Sequence, residues 1–223
     1  VADSEIKVRH YWERHVDDEG KPTQVPGSDL AALRRGAGRD AGDVPEMWRY
    51  YTTLQQDGRR SWRLAAEHAA LTLYAVHQQS KVKPMHVSGI GLGTAMRALR
   101  LNGKFSQDAV DRRFAAAATA TSFDEICLHL RGLVTQLRTI DQPLDYTRLY
   151  HDLVRWQRPE EIASVRRAWG SRYFATSTNG EPKDGGPDRP TAKGGADDNN
   201  RRTRTIPHQS KESATINVSQ ESV

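Results

Sequence analysis

Cysteine is almost missing from this chain. One thiol, Cys127, among 223 residues excludes an intrachain disulfide and a cysteine-rich metal site, and it fits a reducing compartment. Long apolar runs are missing too. No stretch approaches the ~20 apolar residues of a membrane span, and the opening VADSEIKVRHYW lacks the apolar core of a secretion signal. The expectation is a soluble cytoplasmic protein that does not enter a membrane. The eight histidines form no H-E-x-x-H motif and no ligand set with the cysteine. His129 and Cys127 are two residues apart, so on a helix they point in different directions. No serine has the context of a nucleophile elbow. The sequence therefore predicts no metal, no cofactor and no enzymatic activity.

Aromatic residues are absent from Ala175 to Val223. That segment is rich in Gly, Pro, Asp, Asn, Ser and Thr, and it cannot bury enough surface to offset its conformational entropy. A disordered tail is expected there. The tail holds 7 basic and 7 acidic side chains, so the net charge of +5 belongs to residues 1–174. Residues 1–29 carry 4 basic and 7 acidic groups, which leaves 22 against 14 over residues 30–174. Arginine makes up most of that excess. It suits bidentate contact with phosphate, and it also fits a genome whose codon usage favours arginine over lysine. Composition does not separate these two readings.

Period-two alternation of convincing length is absent, and nearly every patterned segment reads as helix. Helices are predicted over 4–16, over 28–36 (opened by Ser28 and ended by Gly36) and over VPEMWRYYTTLQQD, behind Asp43 and Pro45. A long Ala/Leu helix follows in RRSWRLAAEHAALTLYAVHQQ. KVKPMHVSGIGLG (81–93) is the longest irregular stretch, and it divides an N-terminal half (1–80) from a C-terminal half (81–174). The second half continues with TAMRALRL, SQDAVDRRFAAAATA and ICLHLRGLVTQLR, then a segment capped by Asp145 and one opened by Pro159. Ile126, Leu130, Leu133, Val134 and Leu137 form one apolar stripe, and Ser122 with Glu125 has the spacing of a capping box. Cys127 is assigned to the core on the same pattern. The predicted fold is all-α: a helical bundle of two packed halves with a disordered C-terminal tail.

Two features invite a phosphate. Gly89, Gly91 and Gly93 approach a G-x-G-x-x-G fingerprint, but Thr94 stands where its third glycine is needed and no strand precedes it. A tight turn into the next helix is the expected role, although a helix N-terminus beside Lys81 and Lys83 would suit a backbone phosphate. The second feature is arginine doublets: Arg34-Arg35, Arg59-Arg60, Arg112-Arg113 and Arg166-Arg167. Arg131 and Arg138, seven apart, project the same way along the edge of the apolar stripe. Such doublets are usually solvated helix-end charges, yet the uncompensated excess of residues 30–174 favours a polyanionic partner.

Several segments, in order, resemble the CasB family, the small subunit of the type I-E CRISPR surveillance complex called Cascade. LRRGAGRDAGDVPEMWRYY is similar to the family's L-R-R segment, spacer and Pro-aromatic helix. SGIGLGTAM resembles its G-x-x-L-G loop and helix start. DRRF followed by SFDEICLHLRGLVTQLR resembles its R-R helix and L-R-x-L helix. LDYTRLYHDLVRW and the aromatic pair ending the last helix complete the set, which spans roughly residues 4–174. Gly132 departs from relatives that carry a second arginine after Arg131.

The resemblance implies a non-catalytic, all-helical protein present as a pair of copies and packed along the backbone and large subunits. Its basic face is expected to stabilise the guide RNA–target DNA heteroduplex and the displaced single strand of the R-loop. Candidate nucleic-acid-binding residues are Arg34, Arg35, Arg59, Arg60, Arg112, Arg113, Arg131, Arg138 and Arg158. A helix-turn-helix regulator is the alternative, with RRSWRLAAEHAALTLYAV as its best recognition helix. A pure scaffold, with the arginines paired to neighbouring subunits, is a third reading.

Overall fold

The Ala/Leu run after Ser61 forms α2 (Trp62–Gln78), and the other helices are arranged around it. Ala and Leu are strong helix formers, and the Ser61 hydroxyl caps the helix by accepting from the Leu64 N–H at 3.1 Å. From Leu64 to Gln78 almost every side chain is buried. A helix apolar on all sides belongs at the centre of a core. In the computed structural model, which describes residues 9–15, 19, 21 and 23–175, α2 packs against α1 (Gly27–Arg35), α5 (Phe123–Arg138) and α6 (Tyr146–Trp156). A second layer joins α3 (Leu92–Leu101) to α7 (Pro159–Tyr173) and to α4 (Gln107–Thr119). The layers close through α4 on α5 and α6 on α7. Among the described residues there is no strand, only an isolated parallel bridge between His86 and Leu144. The architecture is the all-α bundle the sequence predicted. The loop at 79–91 lies between α2 and α3, and α2 packs against helices from both sides of it. The expected disorder of the tail falls on 176–223, outside the described residues.

Local signals explain the helix ends. Ser106 caps α4, and Ser122 caps α5 by accepting from the Glu125 N–H at 3.1 Å. The Glu125 carboxylate accepts chiefly from the N–H and hydroxyl of Thr121, one residue before the Ser122 cap. Asp145 has two tasks. One oxygen caps α6 at the Arg148 N–H (2.9 Å), and the other accepts from the Gly89 N–H (2.8 Å), which pins the irregular loop to the bundle. The predicted stripe of α5 is fully buried. Cys127 is half-buried and packs against the core, where burial pushes its thiol up to about 12.

Two predicted helices are corrected. The described part of segment 4–16 is a 3-10 turn at Tyr11–Glu13. Adjacent Tyr11 and Trp12 are both buried, and each is anchored far along the chain. The Tyr11 hydroxyl donates to Asp29 and the Trp12 indole donates to Thr147, both at 2.9 Å. VPEMWRYYTTLQQD is helical only as a 3-10 turn over Pro45–Tyr50. Beyond Tyr51 the chain leaves the helix so that Thr52 and Thr53 can bond the buried Glu67 carboxylate. The start of α1 also differs, since Gly27 is its first residue and Ser28 caps nothing.

Glycine has a packing role at one point of the Gly-rich turn. A Cβ on Gly93 would lie 2.2 Å from the Trp169 carbonyl oxygen, so only glycine lets α3 approach α7 this closely.

Candidate nucleic-acid interface

Val110, Phe114 and Ala117 turn one face of α4 into the core. Arg112 and Arg113 are left on the exposed face, and the small alanines between them and α5 leave a groove of about 420 Å³. α4 lines it with Ala109, Arg112, Arg113 and Ala116, and α5 with Leu128, His129, Gly132 and Leu133. Leu128 is 70% exposed. A Cβ on Gly132 would meet nothing within 4 Å. Arg131, next to Gly132, is exposed as well. None of Arg112, Arg113 and Arg131 has an ion-pair partner among the described residues. Arg112 and Arg113 thus line the groove from α4, Arg131 lies on α5 outside its lining, and no carboxylate is among the described lining residues. The guanidinium groups of such a surface suit bidentate contact with phosphate.

Arg138, at the last turn of α5, belongs to a different cluster. Lys81, Lys83 and Lys104 gather around Asp141, and Lys81 pairs with it directly. The Lys104 ammonium donates to the Thr139 carbonyl at 3.0 Å, where the negative end of the α5 dipole favours a cation. Lys81, then Lys83 and Lys104, hold the Asp141 carboxyl below its ordinary range. Nearby His77 is pushed down to about 4 by burial, with Lys81 and Arg138 adding to the effect. The sequence brought up Lys81 and Lys83 only for the glycine turn and missed Lys104. Its signal was weak because the cations come from three separate segments.

The remaining candidates are dispersed and mostly paired. Arg34 is half-buried on α1 with no ion pair among the described residues, and Arg35 faces Glu46 at 3.5 Å. Arg59 lies 3.8 Å from Asp57. Arg60 bridges Asp40 (2.8 Å) and Asp43 (3.4 Å). Arg158 meets Glu161 at 2.7 Å and lies over the ring of Trp62. Sequence reasoning passed over Arg63 and Trp62, which share a second groove with Arg60 and Arg158.

It also passed over Glu67, whose fully buried carboxylate accepts from the N–H and hydroxyl of both Thr52 and Thr53. No local pattern marks a glutamate inside an Ala/Leu helix as a buried acceptor. The recognition helix of the alternative reading is α2 itself. Its burial on nearly all sides leaves no face for a DNA groove. Among the described residues no group of three His, Cys, Asp or Glu is placed to hold a metal ion, and no helix is long and apolar enough to cross a membrane.

The class defined here is a small all-helical bundle with an uncompensated cationic edge. The family profile described as CRISPR-associated protein Cse2 matches residues 29–174. The crystal structure of CasB from Thermobifida fusca is 32% identical, covers 67% of this chain and 85% of its own, and has a TM-score of 0.55. A CRISPR-associated Cse2-family protein from Thermus thermophilus is 26% identical over 66% of this chain and 85% of its own, with a TM-score of 0.52. A chain of a CRISPR RNA-guided surveillance complex shares the fold at 24% identity, covering 67% of this chain and 82% of its own with a TM-score of 0.50. No curated protein matches. The chain belongs to the Cse2 family, that is, the CasB family of type I-E Cascade.

Proposed function

We propose that this chain is the non-catalytic small subunit of a cytoplasmic type I-E surveillance complex. It works as a pair of copies beside the backbone and large subunits, and it holds nucleic acid backbone without sequence preference. In antiviral defence its α4–α5 edge stabilises the guide RNA–target DNA heteroduplex and the displaced DNA strand. The observation that carries this reading is the pair Arg112 and Arg113 in the α4–α5 groove, exposed and without an ion-pair partner among the described residues, with Arg131 exposed elsewhere on α5. Strand exchange in an R-loop is nearly balanced, so backbone contacts of this kind tip it. Arg138 with its lysines, and Arg34, extend the same role. Arg35, Arg59, Arg60 and Arg158 exchange weak, half-exposed ion pairs for phosphate at little cost.

The test is the triple variant R112A/R113A/R131A. Each phosphate contact to a single strand is worth a factor of about four at 0.15 M salt, so losing three weakens binding about fiftyfold and flattens the salt slope by about two. In the assembled complex the variant should open target DNA poorly and still load guide RNA. Unchanged opening at physiological salt would remove these residues from the role.

A further inference from the structure

The second groove lies where α2, the α6–α7 junction and residues 52–55 meet, and it is built differently from the α4–α5 edge. It holds about 660 Å³ and is lined by Arg60, Arg63, Arg158, Trp62, Leu54 and Val154 among others, with no carboxylate. Trp62 opens α2 and is 55% exposed. Its backbone carbonyl accepts from Gln157 Nε2 at 2.9 Å, and the Arg158 guanidinium sits 5.5 Å from its ring centroid. The ring is therefore held from one side by a cation. Its indole N–H has no partner among the described residues. Trp12, Trp156 and Trp169 are buried in the core, and the exposed Trp48 donates its N–H to the Gly42 carbonyl at 2.6 Å. Arg63 stands beside Trp62, exposed and without an ion pair among the described residues.

A large aromatic ring kept in water and ringed by guanidinium groups is poor design for a core and good design for a base. We propose that Trp62 is a stacking platform for an unpaired nucleobase of single-stranded nucleic acid, with Arg63, backed by Arg60 and Arg158, holding the flanking phosphates. This rests on the reading that the protein holds the displaced strand, and it adds a property that arginines alone do not supply. A duplex offers phosphates to a cationic edge but keeps its bases stacked on one another. Only an unpaired strand can offer a base face to Trp62, and every base has one, so the contact selects strand state and ignores sequence. A protein segment is the less favoured occupant. The lining has three guanidinium groups, and little aliphatic surface beyond Leu54 and Val154 for such a segment to cover.

The experiment uses the full-length chain, a labelled oligothymidylate, and the same oligonucleotide made with abasic sites. W62A should bind oligothymidylate about five- to a hundredfold more weakly, with its salt slope unchanged. W62F should retain most of the affinity, since a smaller ring still stacks. R63A should instead lower the salt slope by about 0.7. The abasic strand should bind the unmodified protein with a similar deficit, and W62A should add little to that deficit. Circular dichroism of W62F and W62A should match the unmodified protein, because the ring contributes little to the core.

Full affinity of W62A for oligothymidylate overturns the proposal, and so does an equal loss on the abasic strand. Normal strand binding by W62A with failed assembly into the complex makes Trp62 a protein contact and overturns it as well. The arginine triple variant run in parallel separates the two readings. If it weakens binding and W62A does not, stacking alone fails. If neither weakens binding, the nucleic-acid role fails with it.

Discussion

Glu67→Ala should be among the most damaging single substitutions in this protein. The Glu67 carboxylate is sealed from solvent. It accepts from the Thr52 N–H at 2.9 Å, the Thr53 N–H at 2.9 Å and both threonine hydroxyls at 2.6 Å, with His10 Nδ1 2.9 Å from its Oε1. Truncation to alanine takes the acceptor from both threonine N–H groups and from the Thr53 hydroxyl, leaves the Thr52 hydroxyl only His10 Nδ1 at 3.2 Å, and opens a cavity in α2. Breaking such a buried constellation costs about 3–5 kcal/mol. For a domain of this size that is a fall in Tm of roughly 6–20 °C. Glu67→Gln should be far milder, about 1 kcal/mol. Its carbonyl can take the Thr53 side, while its NH2 donates to His10 Nδ1 or the Thr52 hydroxyl. Burial raises the Glu67 pKa, but the bonds from His10, Thr52 and Thr53 outweigh burial and the net shift is downward. A carboxylate with a depressed folded-state pKa contributes stability above its unfolded value near 4.5, and that contribution is lost as pH falls. Glu67→Gln should therefore flatten the acid side of the Tm–pH curve below about pH 4.5. Differential scanning fluorimetry of both variants across pH reads all of this. An alanine variant melting within two or so degrees of the unmodified protein would refute the argument, since no comparable loss of buried partners is tolerated so cheaply.

Three further outcomes concern positions elsewhere in the bundle. Gly93→Ala should lower stability by about 1–3 kcal/mol or more, because its methyl group meets the Trp169 carbonyl oxygen at 2.2 Å. Gly132→Ala, in open space on α5, should raise stability by up to about 1 kcal/mol. Chemical denaturation of the pair checks both signs. His77 is neutral in the fold, its pKa pushed down to about 4, while the unfolded chain protonates it near 6.5. Stability should hold above about pH 6.5 and fall as pH drops toward 4, where the unfolded state binds the extra proton. His77→Gln should make that fall shallower, and an unchanged slope in thermal melts at constant ionic strength would show that His77 is not responsible. His15, His68 and His86 are shifted downward by burial too, so some slope should survive the substitution.

What could be read from the chain was local. The stripe from Ile126 to Leu137, the caps at Ser122 and Asp145, and the Ala/Leu run of α2 each have their cause within a few residues, and each folds accordingly. Residues 10–13 and 45–53 do not. Their backbone is set by Asp29, Thr147 and Glu67, whose proximity no window of sequence contains. The site divides the same way. The arginine excess was visible, but whether a given arginine is free or paired depends on folding. Arg60 meets Asp40 across a loop, whereas Arg112 and Arg113 pair with no carboxylate among the described residues. Trp62 leads an apolar helix, yet its ring stays 55% exposed where the α6–α7 junction meets the start of α2.

The central position of α2 also has a consequence for synthesis. Its apolar sides are covered by α5 and α6, so they stay uncovered until Trp156 has been made, 78 residues after Gln78. At ordinary translation rates that interval lasts about 4–16 s. In its first part, until Arg138 completes α5, the nascent chain exposes its most hydrophobic helix with only α1 to shield it. A stall between α3 and α6 leaves a species primed to aggregate, so the yield of this protein should respond to chaperone supply and to the pace of the ribosome over that stretch.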